Sequence, residues 1–82
     1  MKKLGTYYTK IESIRDDIDN YIGELEEKRD AIEDRAIEKD REMTEKEQER
    51  YDKLDAKIYA LNDLVSNLNE ALYDIEGYWA ED

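Results

Sequence analysis

Cysteine, histidine, proline and phenylalanine are absent from the 82 residues. Without cysteine there is no disulfide framework and no thiolate, and without cysteine or histidine the usual transition-metal sites cannot be built. The Glu-x-x-His pairs of helix-bundle di-iron centres are excluded for the same reason. The serines are Ser13 and Ser66 alone, each in a helical stretch with no base in reach by sequence. Glycine is limited to Gly5, Gly23 and Gly77, none beside another, so no phosphate-cradling loop is present. No spacing fits a twelve-residue calcium loop. The expectation is a protein that is not an enzyme and needs no cofactor or metal. Long apolar runs are missing too. Met1-Lys2-Lys3-Leu4 leads into Gly5-Thr6-Tyr7-Tyr8-Thr9-Lys10, which is neither a signal peptide nor a membrane span. A soluble, cytoplasmic protein that does not engage a membrane is expected.

Positive charge is also scarce. Thirteen bases face 24 acids, a net charge of −11. Repulsion disfavours direct binding to nucleic acid or an anionic membrane, and a basic partner is favoured. The mean hydropathy of −1.08 would suit a disordered chain, but the order of the apolar residues argues against disorder.

That order is strongest in the second half. Tyr51, Ile58, Val65, Leu72 and Trp79 recur every seventh residue, and Leu54, Leu61, Leu68 and Ile75 follow each of the first four by three. This is the seam of a coiled coil. The first half repeats the pattern with Leu4, Ile11, Ile18, Leu25 and Ile32, each of the first three followed after three residues by Tyr7, Ile14 or Tyr21. There the stripe degrades at Lys28 and Arg35, while Tyr8, Ile22 and Ala36 widen it on one side. The two repeats are out of phase, which marks a break near residues 41–45. Thr44 and Glu47 supply a capping box at that break. Thr6 or Thr9 is a candidate cap for the start of the first helix. The expected architecture is an all-α antiparallel two-helix hairpin in one domain, with a first helix at about 6–40, a turn at about 41–44 and a second helix at about 45–79. One long bent helix is the alternative, because the connection holds neither glycine nor proline. Leu64, Ala71 and Tyr78 beside the second seam call for further cover, which a homodimer forming a four-helix bundle would provide.

Three surface features are candidate binding sites. Glu12, Asp16, Asp19, Glu26, Asp30 and Glu33 form a stripe expected opposite the apolar face, in steps of three or four residues with Gly23 in the one vacant place, a mean axial step of about 5 Å. One DNA strand advances about 3.4 Å per phosphate, a loose match by which a carboxylate row could occupy a groove shaped for a phosphate backbone; the plainer reading is the solvated outside of an acidic bundle. After Lys57 no base occurs, and Asp63, Glu70, Asp74, Glu76, Glu81 and Asp82 make that end acidic. Either Lys2, Lys3 and Lys10 offset it across the hairpin, or it docks a basic surface. Tyrosine dominates the aromatics. Tyr7, Tyr21 and Tyr51 read as core, whereas Tyr59 and Tyr73 share an outward position with Ser66 between them and Asn62 and Asn69 nearby, a candidate protein-binding strip. Trp79 either closes the open end of the hairpin or anchors a partner.

Arg41-Glu42-Met43-Thr44-Glu45-Lys46-Glu47, running on to Tyr51-Asp52-Lys53-Leu54, resembles a turn in the scaffolding (delta) domain of tailed-phage major capsid proteins, with Met43 where that pattern has leucine. The segments Ile14-Arg15-Asp16, Glu24 to Asp30 and Leu61 to Leu72 are similar to small acidic helical proteins of phages and mobile elements of Gram-positive bacteria. The resemblance implies a helical hairpin at work inside a bacterial host cell. Together with the charge it points to an acidic protein-binding module: a phage inhibitor of anti-CRISPR or anti-restriction type that mimics DNA against a nucleic-acid-binding enzyme. The alternative is a structural or assembly coiled coil, a scaffold or adaptor, working through Leu54, Ile58, Leu61, Val65, Leu68, Leu72 and Ile75. Its tyrosines and asparagines and its turn chemistry argue against an idealised design.

Overall fold

Two helices form because the apolar residues recur at helical spacing and neither proline nor adjacent glycines interrupt them. The computed structural model describes residues 3–79. Helix α1 spans Lys3–Glu38 and α2 spans Glu45–Tyr78. They fold back on each other as an antiparallel hairpin measuring 60 × 14 × 14 Å. There is one continuous hairpin, not one long bent helix.

The turn differs from expectation in position and in means. Helix α1 stops at Glu38, two residues earlier than about 40. Asp40 takes the left-handed conformation, φ 49°, which glycine usually occupies and aspartate tolerates better than most residues. Around it, the Arg41 amide donates to the Ala36 carbonyl at 3.1 Å and the Asp40 amide to the Ile37 carbonyl at 3.0 Å. These two bonds are the Schellman closure of a helix C-terminus. Thr44 then starts α2 with the expected capping box: its hydroxyl accepts from the Glu47 amide, and the Glu47 carboxylate accepts from the Thr44 amide. The other expected caps do not exist. Thr6 and Thr9 lie inside α1, and the Thr9 hydroxyl donates to the Gly5 carbonyl one turn back.

The second-half seam is as expected. Ile58 and Leu72 are buried and the rest half-buried, except Trp79 at 38% exposure. The first-half seam is rotated. Leu4, Ile11, Ile18, Leu25 and Ile32 do face α2, but the second column of the seam is Tyr8, Arg15, Ile22, Arg29 and Ala36. Tyr7, Ile14 and Tyr21 are turned out, 54%, 51% and 46% exposed. Two arginines within the true column disguised it as the weaker one. Their long aliphatic stems cover the seam while the guanidinium groups escape at its rim. In this phase the stripe does not degrade, and Ile32 and Ala36 are buried almost to the turn. The central core is Ile22, Leu25 and Ile58, with Ile18, Leu54, Leu61 and Val65 against it. The core is thin: among the described residues no side chain is wholly removed from solvent.

Candidate functional site

Four contacts across one rim fix the register. The Tyr8 hydroxyl donates to Glu76 at 2.8 Å, Arg15 Nη1 to Asn69 at 3.1 Å, and Arg29 Nη1 to Asp55 at 2.9 Å, with a longer Tyr51 to Glu33 contact at 3.5 Å. From pair to pair, each step up α1 matches an equal step down α2, as an antiparallel pairing requires. Each arginine also holds its own neighbour, Arg15 to Asp16 at 3.0 Å and Arg29 to Asp30 at 3.1 Å. Hydrogen bonds to these carboxylates, Asp16 for one and Asp30 then Asp55 for the other, raise both guanidinium pKa values. The Tyr8 hydroxyl is likewise pushed up, chiefly by its bond to Glu76. Tyr51 is pushed up by burial first and by Glu33 second.

This rim carries the acidic stripe. Because the seam is rotated, Glu12, Asp19, Glu26 and Glu33 line its flank instead of the far side of α1, and Asp16 and Asp30 stand one row farther out. That corrects the expected placement opposite the apolar face. All six are exposed except the half-buried Glu12. Helix α2 faces the same way with Asp55, Asn62, Asn69 and Glu76, and in the next row with Asp52, Tyr59, Ser66 and Tyr73. Tyr59 and Tyr73 are 79% and 76% exposed. The carboxylate stripe and the tyrosine strip, which the sequence offered as separate features, therefore share one side of the molecule.

Within α1 and α2, no lysine or arginine lies in these columns or along the outer back of either helix. Lys3, Lys10, Lys28 and Arg35 of α1 all lie on the opposite flank, with Lys46, Arg50, Lys53 and Lys57 of α2. A shallow groove there is lined by Lys28, Arg50, Lys53, Leu54 and Lys57. Asp17, Glu24 and Glu38 of α1 and Asp74 of α2 lie on that flank too, so the two-sidedness across the 14 Å width is a confinement of the bases to one flank, with acids on both.

The acids of the second helix do not form one knob. Asp63 and Glu70 share the back of α2, bordering the acidic side. Glu76 is on that side, bonded to Tyr8. Asp74, in the column of Lys46 and Lys53, stands where their flank meets the far edge of the acidic side, and there it borders a shallow depression with Ser66, Asn69, Glu70 and Tyr73. Glu81, Asp82 and Lys2 lie outside the described residues. Lys3 and Lys10 make no ion pair with Asp74 or Glu76 among the described residues. Trp79 packs edge-on against Tyr8, ring centres 5.2 Å apart, and over Gly5, closing the open end. Among the described residues no group of three or more acids is close enough to hold a metal ion, and no helix is long and apolar enough to cross a membrane.

No protein-family model, no curated protein and no solved structure matches this chain. Its surface must therefore be read from its own chemistry. What that surface can do is bind: carboxylates accept from arginine and lysine, and exposed tyrosines add apolar area with a polar tip. Sequence reasoning missed the cationic flank. The signal is present in the sequence, since Lys28 and Arg35 continue the column of Tyr7, Ile14 and Tyr21 and Lys3 and Lys10 start the column beside it, but reading that column as core hides it.

Proposed function

We propose that the hairpin is a non-enzymatic inhibitor that lays its acidic side along the basic nucleic-acid-binding surface of a protein. It acts inside a bacterial host cell, in the manner of a phage or mobile-element protein directed against a CRISPR effector or restriction enzyme. The observation that carries this reading is the sorting of charge. Carboxylates of both helices share one side with Tyr59 and Tyr73, and the arginines reaching that side are already engaged by Asp16, Asp30 and Asp55. Mere solubility would be served by acids and bases mixed over the surface. A rigid rod with one anionic side instead steers toward, and competes for, a cationic groove. The carriers are Asp16, Asp19, Glu26, Asp30 and Glu33, with Glu12, Asp63, Glu70 and Glu76 at the borders, and Asp74 contributes least.

The test is capture from bacterial lysate on tagged protein at low and high salt, beside the variant Asp19→Lys/Glu26→Lys. Both residues are exposed and neither makes a cross-seam contact, so the fold is spared. A nucleic-acid-binding protein retained at low salt, lost at high salt and lost with the variant supports masking, since exposed charges are screened within about 8 Å at physiological ionic strength. The same protein captured regardless of salt and charge reversal would refute it. The second reading, an assembly module or adaptor, is favoured by the exposed Tyr7, Ile14 and Tyr21, and predicts salt-insensitive capture through that strip.

A further inference from the structure

The flank away from the acidic stripe carries an apolar strip that the hairpin leaves uncovered. Tyr7, Ile14 and Tyr21 of α1 run level with Tyr78, Ala71 and Leu64 of α2. All but Ala71 are at least 42% exposed. Along α1 the strip is symmetric, tyrosine–isoleucine–tyrosine; along α2 it runs tyrosine–alanine–leucine, with the small residue at its centre. Toward the turn it gives way to Lys28, Arg35, Arg50 and Lys57.

The next column of α1 outward reads Lys3, Lys10, Asp17, Glu24. Its signs run plus, plus, minus, minus, antisymmetric about the level of Ile14. A second copy rotated by a two-fold axis through that level meets both patterns at once. Tyr7 comes over Tyr21 of the other copy and Ile14 over Ile14, while Lys10 faces Asp17 and Lys3 faces Glu24. On α2, Leu64 meets Tyr78 and Ala71 meets itself. The same-level arrangement, with α1 of one copy along α2 of the other, also covers the strip, but it drives Lys28 onto Lys57 and Arg35 onto Arg50. Like charges in direct apposition oppose it.

We propose that this face is a homodimer interface, in which two hairpins overlap antiparallel over residues 3–25 and 64–78, centred on Ile14 and Ala71. The turn-proximal halves project in opposite directions. The overlap is roughly 33 Å long at ~1.5 Å per residue. Across the hairpin's 14 Å width this brings the accessible surface buried on both copies together to about 1,000 Å², the low end of specific interfaces. The acidic sides, facing away from the axis, stay free, so the dimer stands whether or not the masking role does. It would, however, present that surface twice.

The absence of cysteine makes the test direct. Ile14→Cys, at an exposed position, should cross-link to itself in high yield on mild oxidation. Ser66→Cys, on the acidic side, should not. Light scattering should give a dimer mass, and Lys10→Glu or Asp17→Lys alone should raise the dimer dissociation constant roughly tenfold, because the symmetric pair occurs twice. The double variant Lys10→Glu/Asp17→Lys should restore it, a rescue that no loss of folding could mimic. A monomer at millimolar concentration would overturn the proposal. So would a dimer in which Ile14→Cys cross-links only to Ala71→Cys, or one indifferent to both charge changes.

Discussion

Arg29 crosses from the seam column of α1 to Asp55 on α2, Nη1 to Oδ1 at 2.9 Å, while its Nε holds Asp30 at 3.1 Å. With a side-chain exposure of 21%, the arginine fills a place that a coiled coil normally gives to an apolar residue. Arg15 repeats the device two heptads away, toward Asn69. Polar groups at such positions specify register at a loss of stability. Replacing both arginines by leucine should therefore raise the thermal midpoint, by about 1–2 kcal/mol in stability, and allow alternative registers and higher oligomers. Thermal melting with light scattering reads both effects, and a lower midpoint would contradict this role.

The rotated seam makes neighbouring residues unequal. Ile22→Ala, in the core, should destabilise by about 2–4 kcal/mol, enough to unfold much of so small a domain. Tyr21→Ala, one residue earlier and turned out, should change monomer stability by less than about 0.5 kcal/mol. Denaturant melts at low protein concentration compare them directly, and equal losses would restore the phase in which Tyr21 is core.

At the turn, Asp40 occupies a conformation that favours glycine. Asp40→Gly should stabilise by about 0.5–1 kcal/mol, and Thr44→Ala should destabilise by about 1 kcal/mol through loss of the cap. Gly23 sits inside α1 with open space where a Cβ would be, so Gly23→Ala should stabilise by about 0.5–1 kcal/mol. Chemical denaturation ranks the three. A destabilised Asp40→Gly would mean that the aspartate side chain matters more than its backbone.

Glu47 is held down to about 2 from an ordinary 4.5, first by Arg41 at 2.7 Å and then by the Thr44 amide. A carboxyl with its folded pKa depressed contributes stability that is full above the unfolded value and fades as pH falls through the folded one. The contribution should therefore disappear between about 4.5 and about 2. Melting midpoints of the native chain and Glu47→Gln, followed against pH, should differ at pH 7 and converge by pH 2. A gap that persisted at pH 2 would assign the effect to packing.

How much of this was legible in the sequence depended on where charge and apolar pattern disagreed. The α2 seam from Tyr51 to Ile75 was plain because every one of its positions is apolar, and the Thr44–Glu47 box was plain because its chemistry is local. Helix α1 offered two columns to complete Leu4–Ile32. The rejected one contained Arg15 and Arg29, whose suitability rests on partners, Asn69 and Asp55, that only the folded register brings near. The apolar column of Tyr7, Ile14 and Tyr21 reads as core by pattern alone, and that phase puts the acidic stripe on the far side. The end of α1 was hidden because an aspartate does the work of the missing glycine. The acidic residues were individually visible. Their convergence with Tyr59 and Tyr73 was not, since it follows from how two helices are rotated about each other.

The turn also orders events in time. Arg41 and Glu47 are six residues apart, Tyr8 and Glu76 sixty-eight. Loop-closure entropy grows with that separation, so the Asp40–Thr44 corner is where the two halves of the chain should first meet, with pairing expected to advance layer by layer toward Trp79. Under pulling or partial denaturation the rod should open in reverse, from the Tyr8–Trp79 end, and the lone tryptophan is placed to report the first layer to part.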